Sequence, residues 1–163
     1  MDLLADATLV LAGTLTALIA GLFFSFSFVT NRGLGRLGDT GYLRAMQSIN
    51  VAIVNPVFLV AFLGPLVLLP LALIFRLQDG WSAVGGLLLA ASVLYIVGGF
   101  GITVGANIPL NNRLDAVDLV TATDAEASSV RRWFEEPWAR WHALRTVATT
   151  LSVALVLVAA LIS

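Results

Sequence analysis

Trp138, Trp141, His142 and Arg145 stand at i, i+3, i+4 and i+7, a spacing that puts two indoles, an imidazole and a guanidinium on one face of a helix. Thr149 and Ser152 roughly continue that stripe. Elsewhere Gln47, Asn50 and Asn55 lie within reach of one another over two turns, and Thr103, Asn107 and Asn111 recur at i, i+4 and i+8. Pro109 interrupts the backbone ladder beside them and frees carbonyls that need partners. Ser25, Ser27 and Asn31 close a further polar set. An imidazole can take or give a proton near neutral pH, and a guanidinium can hold an anion or a developing oxyanion.

Each of these residues also has a structural use. The tryptophans can belong to an interfacial belt, the amides can be interhelical glue, and His142 can be a satisfied interfacial histidine. Arg145 can neutralise a lipid phosphate or the Glu135–Glu136 pair. Metal chemistry has little support, because the chain has one histidine and no cysteine. A site would have to draw on His142, Gln47, asparagines and carboxylates such as Asp115 or Asp118, a poor set for iron or copper. The expectation is therefore no metal.

The elements that must position these groups are membrane spans. Of the 163 residues, 59% are hydrophobic and 12% charged, about half the charge of an ordinary soluble domain. Four stretches carry no charge: Ala7–Val29, Val51–Phe75, Ser82–Ala106 and Thr146–Ile162. The first three, as helices, would run about 35 Å, enough for a hydrocarbon core of about 30 Å with some tilt. The fourth helix can begin earlier, near Trp138. In lipid the backbone must satisfy itself, so helices are the reading. The predicted fold is all-α, a four-transmembrane-helix bundle forming one integral membrane domain over 1–163, with helices about 5–30, 47–76, 82–107 and 138–162. The first span lacks a basic n-region and an A-x-A-like site and is read as a retained helix.

Arginine sets the expected orientation. Arg32, Arg36 and Arg44 follow the first span, and Arg113, Arg131, Arg132 and Arg140 precede the fourth, with Arg145 just inside it. The opposite side has Arg76. The positive-inside rule then puts both long connections in the cytoplasm and both termini outside, in the plasma membrane. A tight Arg76–Trp81 turn makes spans two and three antiparallel neighbours. Between spans three and four, Thr123-x-x-Glu126 reads as a capping box opening a helix, with a kink or restart at Pro137; a helical cytoplasmic connection is expected. Under this topology all four spans bring polar groups to one level near the cytoplasmic leaflet. Gly101-x-x-x-Gly105, with Gly13, Ala17 and Gly21, suggests close approach of spans one and three, with Tyr95 and Phe24 to wall an aromatic cavity. Expected partners are the lipid bilayer and a hydrophobic small molecule, with room for a homo-oligomer. A net charge of −1 speaks against nucleic acid.

Four segments resemble the anthrone-oxygenase-like family of small membrane proteins. Asn107-Ile-Pro109-Leu-Asn111 is similar to its N-x-P-x-N signature, and Trp138-Ala-Arg-Trp141-His142-Ala-Leu-Arg145-Thr146 to its W-x-x-W-N/H-x-x-R-T segment. Phe23-Phe-Ser-Phe-Ser27 and Met46-Gln-Ser-Ile-Asn50, followed by Asn55-Pro56, fit as well, so the resemblance covers nearly the whole chain. The family's fourth motif often reads Asn-His; here it reads His142-Ala143.

Fungal members of that family are implicated in oxidising anthrones to anthraquinones. The resemblance implies a membrane oxygenase acting on a hydrophobic phenolic or quinol-like substrate without a cofactor. His142 would be the general base and Arg145 would stabilise a developing phenolate. Asn107 and Asn111 would donate to substrate oxygens, Gln47, Asn50 and Asn55 would orient the substrate, and Trp138 and Trp141 would hold its rings. The alternative is a non-enzymatic binding or scaffold protein for a lipid, an isoprenoid or a partner helix.

Overall fold

The computed structural model describes residues 3–78 and 80–163, and these are helical with no strand. Five helices follow one another: α1 (Leu3–Leu34), α2 (Asp39–Ile53), α3 (Pro56–Leu77), α4 (Ala83–Asp115) and α5 (Asp124–Ile162). All but α2 are long and apolar enough to cross a membrane. The shortest of these four has 22 residues, or about 33 Å at the α-helical rise.

The spans form a ring in which α1 packs on α3 and α5, and α4 packs on α3 and α5. Spans α1 and α4 therefore face each other across a diagonal, and the expected close approach of spans one and three is not made. Glycine works at a different interface. A Cβ on Gly98 would overlap Ala148 of α5, and one on Gly99 would come within 2.8 Å of Thr149 Cγ2, whereas one on Gly105 would meet nothing. The Gly101-x-x-x-Gly105 pattern is thus not a contact face; Gly98 and Gly99 are what seat α4 against α5. Tyr95, fully buried, donates from its hydroxyl to the carbonyl of Phe62 at 2.8 Å, and Ser152 donates to Ala91 O at 2.9 Å. At the end near residue 76, Arg76 pairs with Asp6 at 2.7 Å. The expected Arg76–Trp81 turn joins neighbouring antiparallel spans as predicted; Asp79 within it lies outside the described residues.

Three boundaries differ from the sequence expectation. The second predicted helix, 47–76, is two helices. Pro56 stands at the first position of α3, and proline disfavours the α conformation in the residue before it. Asn55 accordingly is extended and caps α3, accepting from Phe58 N at 3.0 Å. The third helix does not stop at 107 but runs to Asp115. The fourth starts at Asp124 and passes Pro137 without a break, with Phe134 and Trp138 on either side of the proline held in one apolar cluster. The Thr123–Glu126 capping box forms in both directions.

Two apolar cores result. One lies between the four spans around Phe23, Phe62, Leu69, Leu88 and Tyr95. The other lies under α2 and the start of α5, around Tyr42, Leu43, Met46, Leu114, Phe134 and Trp138. Polar staples hold this second layer together. Arg131 donates to Asp39 at 3.0 Å, to Glu135 at 2.6 Å and to the carbonyls of Gly35 and Leu37, and it stacks on Tyr42. Arg113 stacks on Trp133 at 3.9 Å. Asp118 accepts from Val120 N and from the Thr121 hydroxyl, and these two bonds hold its carboxyl below the usual carboxylate range. The level where the two cores meet is where the candidate site sits.

Candidate functional site

A cavity of about 380 Å³ opens between α1, α2, α3, α4 and α5 at that level, a size within the range of small-molecule sites. Its walls are mostly apolar: Leu22, Phe23 and Phe26 from α1, Met46, Ile49 and Ile53 from α2, Phe58, Leu59 and Phe62 from α3, and Trp138 from α5. Polar groups enter at defined points: Asn50 from α2, Thr103, Asn111, Asn112 and Asp115 from α4, and His142 and Arg145 from α5. Part of the rim is apolar and exposed (Val54, Leu59, Ile108), and part is polar and exposed (Asn112, Asp115). The mouth therefore has one side suited to lipid and one suited to water.

The deepest polar feature is the Arg145–His142 pair. Arg145 is 7% exposed and His142 1%. Arg145 donates from Nε and Nη2 to His142 Nδ1 at 3.0 and 2.8 Å, and from Nη1 to the Thr103 hydroxyl at 3.1 Å. Thr103 in turn donates to Gly99 O at 2.7 Å. A guanidinium only donates, so Nδ1 must be unprotonated and the ring is the Nε2–H tautomer. That N–H donates to Phe23 O at 3.1 Å. Both nitrogens of His142 are thus engaged, which leaves no lone pair for a general base in this arrangement. The ring stacks on Trp138 at 4.7 Å and meets the edges of Phe23 and Phe26.

Arg145 lies face-on to Phe23, 4.2 Å from its ring centroid, a cation–π contact. Three of its five N–H donors are used by His142 and Thr103, leaving two. Among the described residues no carboxylate lies within ion-pair distance of it, since Glu135 pairs with Arg131 and Glu136 with Arg140. A buried cation with spare donors and no counter-ion among the described residues, on the wall of an aromatic cavity, has the chemistry to accept an anionic or strongly polarised oxygen.

Local backbone geometry places these groups. Helix α4 is π-helical over Leu94–Gly101 and Thr103–Asn107, and α1 over Phe26–Thr30. Such wide turns shift the phase of the residues that follow and recur at functional sites. Here they flank the cavity on two sides. No sequence signal marked them.

The predicted site residues divide into two groups. His142, Arg145, Trp138, Asn50 and Asn111 line the cavity. Asn107 is fully buried just behind it, donating to Trp138 O at 3.2 Å, with Oδ1 unpartnered among the described residues. Asn111 accepts from Trp138 Nε1 at 2.7 Å, so Asn111 fixes the indole while Asn107 holds the backbone carbonyl of the same residue. Gln47 points elsewhere: its amide donates to Leu114 O and Val117 O, both at 3.0 Å, satisfying carbonyls at the end of α4. Asn55 is the α3 cap and does not reach the cavity. Trp141 is 43% exposed on the outer face of α5, because i+3 on this helix turns past the edge of the buried stripe. Phe24 is likewise outside, against Phe28, while Phe23 and Phe26 form the aromatic wall. Tyr95 is a core residue. Missed from the sequence were Thr103 as a contact of the guanidinium, and Asp115 and Asn112 at the mouth. In the sequence Asp115 stands out only as a weak metal ligand.

Fold and site together define a helical membrane-type protein built around a buried guanidinium–imidazole pair beside an aromatic cavity. Residues 55–155 match the family model described as anthrone oxygenase, well over half of the chain. The chain belongs to the anthrone oxygenase family. The match takes in Thr103, Asn107, Asn111, Trp138, His142 and Arg145, whereas Phe23 and Asn50 lie before it. No curated protein and no solved structure matches the chain.

With one histidine in the sequence, ¹⁵N-histidine labelling gives an unambiguous test of the pair. We expect a protonated Nε2 and an unprotonated Nδ1, with the pattern lost in Arg145→Met. Protonated Nδ1 in the wild-type protein would contradict the assignment.

Proposed function

We propose that this protein is a membrane oxygenase that converts an anthrone- or quinol-like aromatic to its quinone with dioxygen, in the cavity lined by Arg145. The reading is carried by one observation: a buried guanidinium without a carboxylate partner among the described residues, with two donors free on the wall of an aromatic cavity. Burying a charge without compensation is costly. An oxyanion on the substrate would supply the missing charge, and more fully in the anion than in the neutral substrate, which is the condition for catalysis.

For an anthrone the chemistry balances as R₂CH₂ + O₂ → R₂C=O + H₂O. Loss of a methylene proton gives a carbanion whose charge is delocalised onto the carbonyl oxygen, where Arg145 would hold it. That carbanion reacts with dioxygen directly. In this scheme Arg145 is the catalytic residue, and His142 and Thr103 are its positioning residues. Trp138, Phe23 and Phe26 hold the rings, with Asn50 and Asn111 at the cavity wall. Asn107 holds the backbone of Trp138 from behind the cavity. Gln47 and Asn55 have structural tasks, and Trp141 stands outside the cavity. The whole chain acts as one membrane domain, the hydrophobic substrate reaching the cavity past the apolar rim.

We further propose that the cavity lies near the cytoplasmic leaflet of the plasma membrane, with both termini outside. The support is the arginine asymmetry between the two ends of the bundle. The chain has no cysteine, so single-cysteine labelling is clean. In intact cells Gln78→Cys should react with an impermeant maleimide and Thr121→Cys should not; the reverse pattern would invert the topology.

The test of activity is dioxygen uptake and quinone formation by detergent-purified protein with an anthrone. Arg145→Met should lower the rate by about 100- to 1000-fold, as expected for a lost oxyanion donor. His142→Ala, which frees Arg145 to move, should also be impaired. Wild-type uptake no faster than the protein-free rate, from folded protein that still binds the aromatic, would favour a non-enzymatic binding role.

A further inference from the structure

If the substrate loses a proton from carbon, some group in the cavity must accept it. Among the described residues, three ionisable side chains line the cavity: His142, Arg145 and Asp115. Arg145 has no lone pair to offer. Both nitrogens of His142 are occupied, by Arg145 and by Phe23 O. Asp115 differs from both. Its Oδ1 accepts from the Asn50 amide at 3.0 Å, its Oδ2 has no partner among the described residues, and it makes no ion pair.

The placement of Asp115 also suits the reaction. It is the last residue of α4 and stands exposed at the cavity mouth, while Arg145 is buried at the inner wall. In an anthrone the carbonyl and the methylene occupy opposite positions of the central ring. A flat tricycle with its oxygen on Arg145 would turn its methylene toward the mouth. Asp115 stands more than three turns of α4 beyond Thr103, so the proton would reach its carboxylate through water at the mouth, while Asn50, on a different helix, fixes that carboxylate through one oxygen and leaves the other for the proton. The exposed mouth lets the proton exchange with water.

We propose that Asp115, oriented by Asn50, is the proton acceptor and donor of the reaction; this rests on the oxygenase reading above. In the first step the methylene C–H bond breaks, its proton goes to Oδ2 of Asp115, and the electron pair delocalises toward the oxygen on Arg145. The carbanion adds dioxygen, a C–O bond forms, and the peroxide anion takes the proton back. Asp115 then removes the remaining hydrogen on that carbon as a proton, the second C=O forms, the O–O bond breaks, and the departing hydroxide leaves as water with the proton from Asp115. Dioxygen is the oxidant throughout.

Proton removal can be separated from oxygenation by working without dioxygen. The measurement is exchange of the methylene hydrogens of an anthrone with D₂O, followed by NMR, with the full-length protein in detergent and the protein-free rate subtracted. Binding is followed in parallel by tryptophan quenching. Asp115→Asn should lower both protein-catalysed exchange and aerobic uptake by about 100-fold or more, the usual contribution of a general base, with binding at the wild-type level. Asp115→Glu should recover much of the exchange, and Asn50→Leu should slow it. Wild-type exchange and uptake in Asp115→Asn would overturn the base assignment and leave the oxygenase reading standing. Loss of binding in that variant would make Asp115 a substrate holder instead, which also overturns it. A wild-type protein that accelerates neither exchange nor uptake would remove the oxygenase reading and this assignment with it.

Discussion

A guanidinium buried to 7% exposure in a bundle of apolar helices must be solvated by the protein itself. Several kcal/mol are at stake for each ion taken out of water without compensation. Arg145 meets this requirement with neutral partners: the Nδ1 lone pair of His142, the Thr103 hydroxyl and the face of Phe23. Each comes from a fixed backbone position. His142 is one turn away on the same helix, Thr103 is held by its own bond to Gly99, and Phe23 supplies both a ring and the carbonyl that orients the imidazole. Three spans are thus tied to one side chain, and the fourth closes the cavity with Phe58 and Phe62. Among the described residues the solvation is incomplete by two donors and a counter-charge, and on the proposed reading an anionic substrate oxygen meets both.

Much of the remaining architecture serves to keep this level open yet anchored. Close packing of Gly98 and Gly99 against Ala148 and Thr149 brings α4 near enough to α5 for Thr103 to reach Arg145. The Asn55–Pro56 break turns α2 away from α3, so that Met46, Ile49 and Ile53 cover the cavity from the side instead of continuing a straight span. Gln47, Arg44 and Asn50 then fasten α2 to the end of α4 and its following loop. These are ordinary hydrogen bonds, but they join the element carrying Asn50 to the element carrying Asp115, and both residues face the mouth.

What could be read from the sequence follows from physics that acts locally. The four spans were legible because an uncharged apolar run of some 20 residues has few other uses. The capping box at Thr123 was legible because its chemistry lies within four residues. The inward placement of His142 and Arg145 was legible from the cost of turning charge toward lipid. Trp141 shows the limit of that argument: it shares the nominal stripe, yet a few tens of degrees of rotation put it outside. Asn55 lies near the polar cluster in sequence, but the proline after it carries a stronger and opposite signal, that of a helix start. The partner of Gly98, the π-helical turns of α4 and the α1–α4 diagonal depend on how spans pack against one another, and glycine spacing alone does not choose among neighbours. Asp115 is not marked as a candidate base by the sequence, because an exposed aspartate at a helix end is unremarkable until the cavity beside it is known.

The most direct measurement is an anaerobic titration of the purified protein with an anthrone, followed by ultraviolet–visible absorption. Binding to wild-type protein is expected to produce the spectrum of the substrate anion at a pH where the free compound is neutral, and Arg145→Met is expected to abolish it. A bound substrate whose spectrum stays neutral in the wild-type protein, or an anion spectrum unchanged by loss of Arg145, would contradict the claim that this guanidinium holds the reacting oxygen.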